Sequence, residues 1–279
     1  MTRFEVSPSR RARRLSWGMR LSAGWSPPVP MSRPNSPVPL PSIRGLDAAP
    51  AFGAGPNRTT FAPPGPRYLF GIRDTDPATA ALFGCSGLTC FGALDQIADH
   101  PRDAAVLIIG AGGLGQTAIA LAQQLGWTRL VALDTDAEKR QRALDAGAFA
   151  AADPTSTDFD DLREIAQAPI LAALDFVGAE STAALAANAL EKGGTLVVVG
   201  LFGGEFRYPL PLFPMRALTV VGSYVGSLKD MRDYVAHVRR HGAPHVPIEK
   251  RPMAAAGDVL AALSRGEVAG RTVLVNDCP

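Results

Sequence analysis

Six residues constrain the fold of this 279-residue chain more than any others: Gly110-Ala111-Gly112-Gly113-Leu114-Gly115, which fit the pattern GxGxxG. A glycine pattern alone is weak; its flanks give it meaning. Before it lies AAVLIIG (104–110), rich in branched side chains, as a strand buried on both faces should be. After it lies QTAIALAQQLG (116–126), helical in character, with Gly126 placed to end the helix. A second strand-like run, RLVALD (129–134), closes on Asp134. No charged residue occurs from Ala104 to Thr128, and length and apolarity alone would suit a bilayer span. Two adjacent glutamines and four glycines in strand–turn–helix order argue for a buried strand, a tight turn and a buried helix.

Each part of such a unit has a task. Gly110 permits the tight turn, Gly112 lets the backbone approach a pyrophosphate, and Gly115 allows the helix to pack closely on the strand. Gly113 and Leu114 complete the turn, where unpaired N–H groups and the positive end of the helix dipole face the phosphates. Asp134, about 20 residues on, is placed to accept from the adenosine ribose hydroxyls. A carboxylate there repels a 2′-phosphate and favours NAD over NADP; Lys139 and Arg140, close behind in sequence, weaken that preference slightly. The bland alternative is a glycine-rich turn with no ligand.

The alternation continues. LAALDFVG (171–178), TLVVVGL (195–201) and LTVVGSYVG (218–226) read as further buried strands, with STAALAANALEKGG (181–194) as a helix between the first two. Asp76 to His100 has a helical look, opened by Asp-Pro and carrying apolar residues at spacings of three and four. Strands separated by helices predict an α/β fold, a doubly wound parallel sheet with ligand at the strands' C-terminal ends.

Residues 1–66 differ in kind. They hold thirteen prolines, nine arginines, no lysine and two acidic residues, about +7, leaving the rest of the chain near −5. Proline at that density blocks helix and central strand, so the expectation is a disordered segment. RRARR at 10–14 could serve as an anionic-surface patch, and the arginine-rich start could be a transit peptide; a solvated tail or a frame-altered stretch is the plainer reading. Three cysteines (Cys85, Cys90, Cys278) make no disulfide framework or CxxC pair, and no secretory signal is evident. A reducing, cytoplasmic setting is expected, with no membrane and no nucleic-acid partner.

From about Arg67 to Val275 the chain resembles the zinc-dependent alcohol dehydrogenases of the medium-chain dehydrogenase/reductase superfamily. The resemblance rests on RYLFGIRD, CSGLTCFGAL, VLIIGAGGLGQTAIALAQQLG, VALDTDAEKRQRALDAGA, GGTLVVVGL, GSYVGS and LSRGEVAGRTVLV, in that order. It implies a Rossmann domain over 89–225, with 67–88 and 226–279 as a remnant of the family's catalytic domain. It implies that Lys139 lies beside the adenosine ribose, that Thr89 meets the nicotinamide, and that Gly200 and Leu201 line the nicotinamide pocket. Arg271 would reach the pyrophosphate, and Cys85 would be the third ligand of a catalytic zinc. The strand in LTVVGSYVG would pair with a second copy, giving a homodimer.

The departures are as informative. No GHE motif occurs, the structural-zinc cysteine loop is absent, and Cys90, Cys278 and the four histidines match no missing ligand. A catalytic zinc takes three protein ligands and an open position. The expectation is therefore an NAD-dependent alcohol dehydrogenase by descent, acting on a small alcohol or aldehyde if active, with impaired activity and no zinc held. Two alternatives stand beside it: a zinc-free, quinone reductase-like enzyme, and a non-catalytic NAD-binding, dimerising module with a basic tail.

Overall fold

The computed structural model describes residues 69–72, 75–268 and 270–276. The proline- and arginine-rich segment 1–66 and Cys278 lie outside these, as does half of the RYLFGIRD motif.

The central feature is a six-stranded, all-parallel sheet. Its strands are β1 (Ala105–Ile109), β2 (Arg129–Leu133), β3 (Ala150–Ala152), β4 (Ile170–Asp175), β5 (Thr195–Val198) and β6 (Thr219–Gly222), in the order β3-β2-β1-β4-β5-β6. The order reverses beside β1, as in a doubly wound Rossmann sheet, so the loops after β1 and β4 diverge to opposite faces and leave a crevice. β1 lies centrally, with Ile108 opposite Ala132 on β2 and Leu174 on β4. Its side chains alternate between two cores. Val106 and Ile108 join one cluster, and Ala105, Leu107 and Ile109 the other. An uncharged, branched segment is what that position requires.

The helices α3 (Gly113–Gln124), α4 (Ala137–Asp145), α5 (Phe159–Ala166) and α6 (Glu180–Ala189) connect the first five strands. Gly126, at φ +91°, stops α3 as its sequence suggests. Asp136 caps α4 and Asp158 caps α5, each accepting from two backbone amides. A short helix α7 (Leu212–Arg216) precedes β6, the edge strand beyond β5.

The stretch 76–100 is helical but interrupted. α1 (Pro77–Ala80) is capped by Asp76, a π-turn runs from Phe83 to Gly87, and α2 (Leu88–Asp95) follows. Phe83, Cys90, Ala93 and Leu94 enter the same cluster as Val106 and Ile108, and so does Tyr234 from α8 (Leu228–His241). The π-turn brings Gly87 against the Tyr234 ring, where a Cβ would lie 2.5 Å from the hydroxyl oxygen. Beyond α8, β7 (Ile248–Pro252) and β8 (Arg271–Val275) form a separate parallel pair joined through α9 (Ala256–Ser264).

Candidate functional site

The turn after β1 has the geometry its glycines predict. Gly110 sits at φ +90°, a left-handed conformation that a side chain would strain. A Cβ on Gly115 would overlap the carbonyl oxygen of Gly110, so the helix start lies directly on the strand end. Gly112 faces open space, with nothing within 4 Å of where a Cβ would stand. Gly112 is the N-cap of α3 and supplies no side chain to satisfy the first-turn amides, in contrast to the aspartates at α4 and α5. Those amides are what a phosphate seeks. The carbonyl of Leu114 faces inward and accepts from the Cys90 thiol at 3.3 Å.

Asp134 closes the crevice on the β2 side. Its Oδ2 accepts the Ala111 N–H at 2.9 Å, and its Oδ1 accepts the Asp136 N–H at 3.0 Å. The carboxylate is thereby held against the glycine turn, with further lone pairs available. Lys139 does not reach it: its Nζ lies 4.0 Å from Asp136 instead.

Arg271 comes from the far end of the sequence. Its Nε lies 2.7 Å from where a Cβ on Gly113 would be, so the guanidinium packs on the first turn of α3. Nε and Nη2 are buried without a hydrogen-bond partner. Burial holds the group below its usual basicity, and the nearby Cys90 and Cys85 offset this in part. A half-buried guanidinium without a partner beside an uncapped helix start suits an anion.

On the β4 and β5 side, Gly200 and Gly178 pack backbone to backbone; a Cβ on Gly200 would overlap the Val177 carbonyl group. Leu201 is 80% exposed at the mouth of this crossing. Thr89 is buried on α2. The sequence reading missed Asp175, the wholly buried last residue of β4. Its Oδ1 accepts the Val177 and Gly178 amides at 2.9 Å each, and its Oδ2 accepts the Thr182 hydroxyl at 2.7 Å. It fixes the loop that meets Gly110 and Gly200. An aspartate ending an apolar strand just before a glycine turn was the available signal.

The residues that would have to hold zinc are not gathered. Among the described residues no three histidine, cysteine or carboxylate side chains are grouped to hold a metal. Cys85 is exposed on the π-turn. Cys90 is buried, and burial pushes its thiol up to about 12, away from the thiolate a metal takes. His100 Nε2 pairs with Thr195 Oγ1 at 2.9 Å, at the start of β5, the opposite end of the sheet from the glycine turn. Among the described residues the donor set does not fit the group.

The profile of the zinc-binding dehydrogenase family matches residues 113–240. An NAD-dependent alcohol dehydrogenase from Sulfolobus acidocaldarius is 31% identical over 212 residues, covering 75% of this chain and 60% of that protein. An alcohol dehydrogenase from Geobacillus stearothermophilus is 32% identical over 220 residues, covering 74% of this chain and 60% of that protein. Among solved structures, the alcohol dehydrogenase of Aeropyrum pernix superposes with a TM-score of 0.64 at 30% identity, covering 71% of this chain and 57% of that one. The chain thus spans about three fifths of the length of these relatives. With the six-stranded Rossmann order and the glycine turn described above, these matches make the C-terminal three quarters of the chain similar to the zinc-type alcohol dehydrogenases.

Proposed function

We propose that this chain binds NAD(H) at the C-terminal ends of β1, β2, β4 and β5, as the nucleotide-holding part of an NAD-dependent alcohol dehydrogenase. The observation that carries the reading is Arg271, whose buried Nε and Nη2 have no partner while its guanidinium lies on Gly113 at the start of α3. The pyrophosphate would rest between this guanidinium and the amides following Gly112. Asp134, held facing the turn, would accept from the adenosine ribose hydroxyls. Gly200, Leu201 and Thr89 are the residues for the nicotinamide end, Gly200 by letting the β5 loop cross close to β4.

When bound, NAD(H) supplies the hydride acceptor or donor for a small alcohol or aldehyde. The chain's own residues bind and orient it: Arg271 neutralises the phosphates, and Asp134 fixes the ribose. No step of alcohol activation is assigned to the described residues, because none of them forms the required acid. The relatives named NAD-dependent alcohol dehydrogenase support the reaction class.

β6 supports a second element of the reading, assembly as a homodimer. It is one of the two edge strands of the sheet, and one of its edges pairs with no strand among the described residues. An edge of that kind invites pairing with a second copy. Light scattering at micromolar concentration should give twice the chain mass; a monomer refutes the pairing.

The nucleotide reading is tested by fluorescence titration with NADH and NADPH. NADH should bind more tightly, because Asp134 repels a 2′-phosphate. Equal affinities, or a preference for NADPH, would remove the reading.

A further inference from the structure

Two cations, Lys139 and Arg140, follow Asp134 on α4, and a nearby arginine is what accommodates a 2′-phosphate in NADP-binding folds of this type. Their side chains are held differently. Lys139 makes only a loose surface pair, 4.0 Å from Asp136. Arg140 is folded back beneath its own loop. Its Nη1 donates to the carbonyl oxygens of Asp134 at 2.7 Å and Thr135 at 2.9 Å, and to Asp153 Oδ2 at 3.3 Å.

Asp153 directly follows β3, which pairs with β2, and the Asp134 N–H reaches the Ala152 carbonyl at 3.3 Å. Asp153 is itself fixed in place. Its Oδ1 accepts the Thr155 hydroxyl at 2.6 Å and the Thr155 amide at 2.9 Å. Those bonds, with the Arg140 charge, hold its carboxyl below the usual range, so it is ionised at neutral pH. About three quarters of each side chain in the Arg140–Asp153 pair is covered, with 23% and 26% exposed.

We propose that Asp153 is a specificity-determining residue of the nucleotide site: it pins Arg140 under the β2–α4 loop, so that the loop offers the ribose 2′ position a carboxylate and no free guanidinium. This rests on the NAD reading above and extends it to a residue outside the glycine turn. Asp134 repels the 2′-phosphate directly; Asp153 removes the neighbouring guanidinium that would attract it. The sequence reading counted Arg140 against NAD, and the pair reverses that sign.

The test is the ratio of NADPH to NADH dissociation constants, measured by fluorescence titration on the full chain. Asp153→Asn keeps an acceptor for Thr155 but loses the charge. It should tighten NADPH about three- to five-fold, the worth of a partly exposed pair, while NADH changes less than about two-fold. Asp153→Ser, smaller and also able to accept, should shift the ratio the same way should the asparagine variant melt early. In an Arg140→Ala background neither change should move the ratio, because the cation it would release is gone. An unchanged ratio in a folded Asp153 variant, or an equal shift without Arg140, overturns the proposal and leaves NAD binding intact. A wild-type chain that binds neither nucleotide overturns both.

Discussion

β1 and β7 are both five residues long and both paired in parallel, yet their surroundings are opposite. Every side chain of β1, AVLII, is buried between two cores. β7, IEKRP, is exposed at four of its five positions and pairs only with β8. α9, which connects the two, has no buried residue, and Leu260 and Leu263 are 65% and 60% exposed. A two-stranded sheet is marginal by itself. The proposed nucleotide site draws on both regions. The doubly wound sheet builds the turn and the crevice, while the exposed region delivers one residue, Arg271, onto Gly113. The fold is carried by the first region and the site's positive charge by the second, so stability and binding should be separable.

Truncation in the first region should have the largest effect on stability. Leu107→Ala opens a cavity among fully buried residues and should cost about 2–5 kcal/mol in chemical denaturation. A loss below about 1 kcal/mol would mean that β1 is not the centre of the core.

High pH tests the same core. Burial raises the Cys90 thiol from 9.0 to about 12, and burial raises the Tyr234 hydroxyl as well. A group with a raised native pKa contributes stability that is complete below its unfolded value and lost as pH rises through the native one. Melting temperature should therefore fall from about pH 9 toward pH 12. Cys90→Ala should delay the onset to the range in which Tyr234 acts. An identical pH profile in that variant would show that Cys90 is accessible.

The smallest effect belongs to the second region. Leu260→Ala removes little buried surface and should change stability by no more than about 0.5 kcal/mol. A cost of about 2 kcal/mol would mean that α9 is covered in solution, and the contrast with Leu107 would fail.

Much of this was legible in the sequence where one position dictates one residue type. The uncharged run at β1, the glycines at 110 and 115, and the carboxylate following β2 each answer a local demand, and together they could be read without the structure. β3 could not, because Ala150, Ala151 and Ala152 carry no branching and no alternation. The helical stretch 76–100 is interrupted by a π-turn where Gly87 lies against the Tyr234 ring, a contact 147 residues distant in sequence. The position of Arg271 was implied only by family resemblance, since no periodicity relates β8 to a turn so far upstream. Arg140 was read by proximity alone, whereas three oxygen partners from two different loops decide where its charge points. Long-range partners are what a single sequence withholds.

The central claim is that Arg271 and the glycine turn together form the pyrophosphate site. The most direct measurement is a calorimetric titration of NADH into the wild-type chain and into Arg271→Gln, with a thermal melt of each. Losing a charged hydrogen-bonding partner should weaken NADH about ten- to hundred-fold. Thermal stability should be unchanged or slightly raised, because the variant no longer buries an unpaired cation. Equal NADH affinity in the two proteins would contradict the account, and so would a loss of binding that merely follows a collapse of the fold.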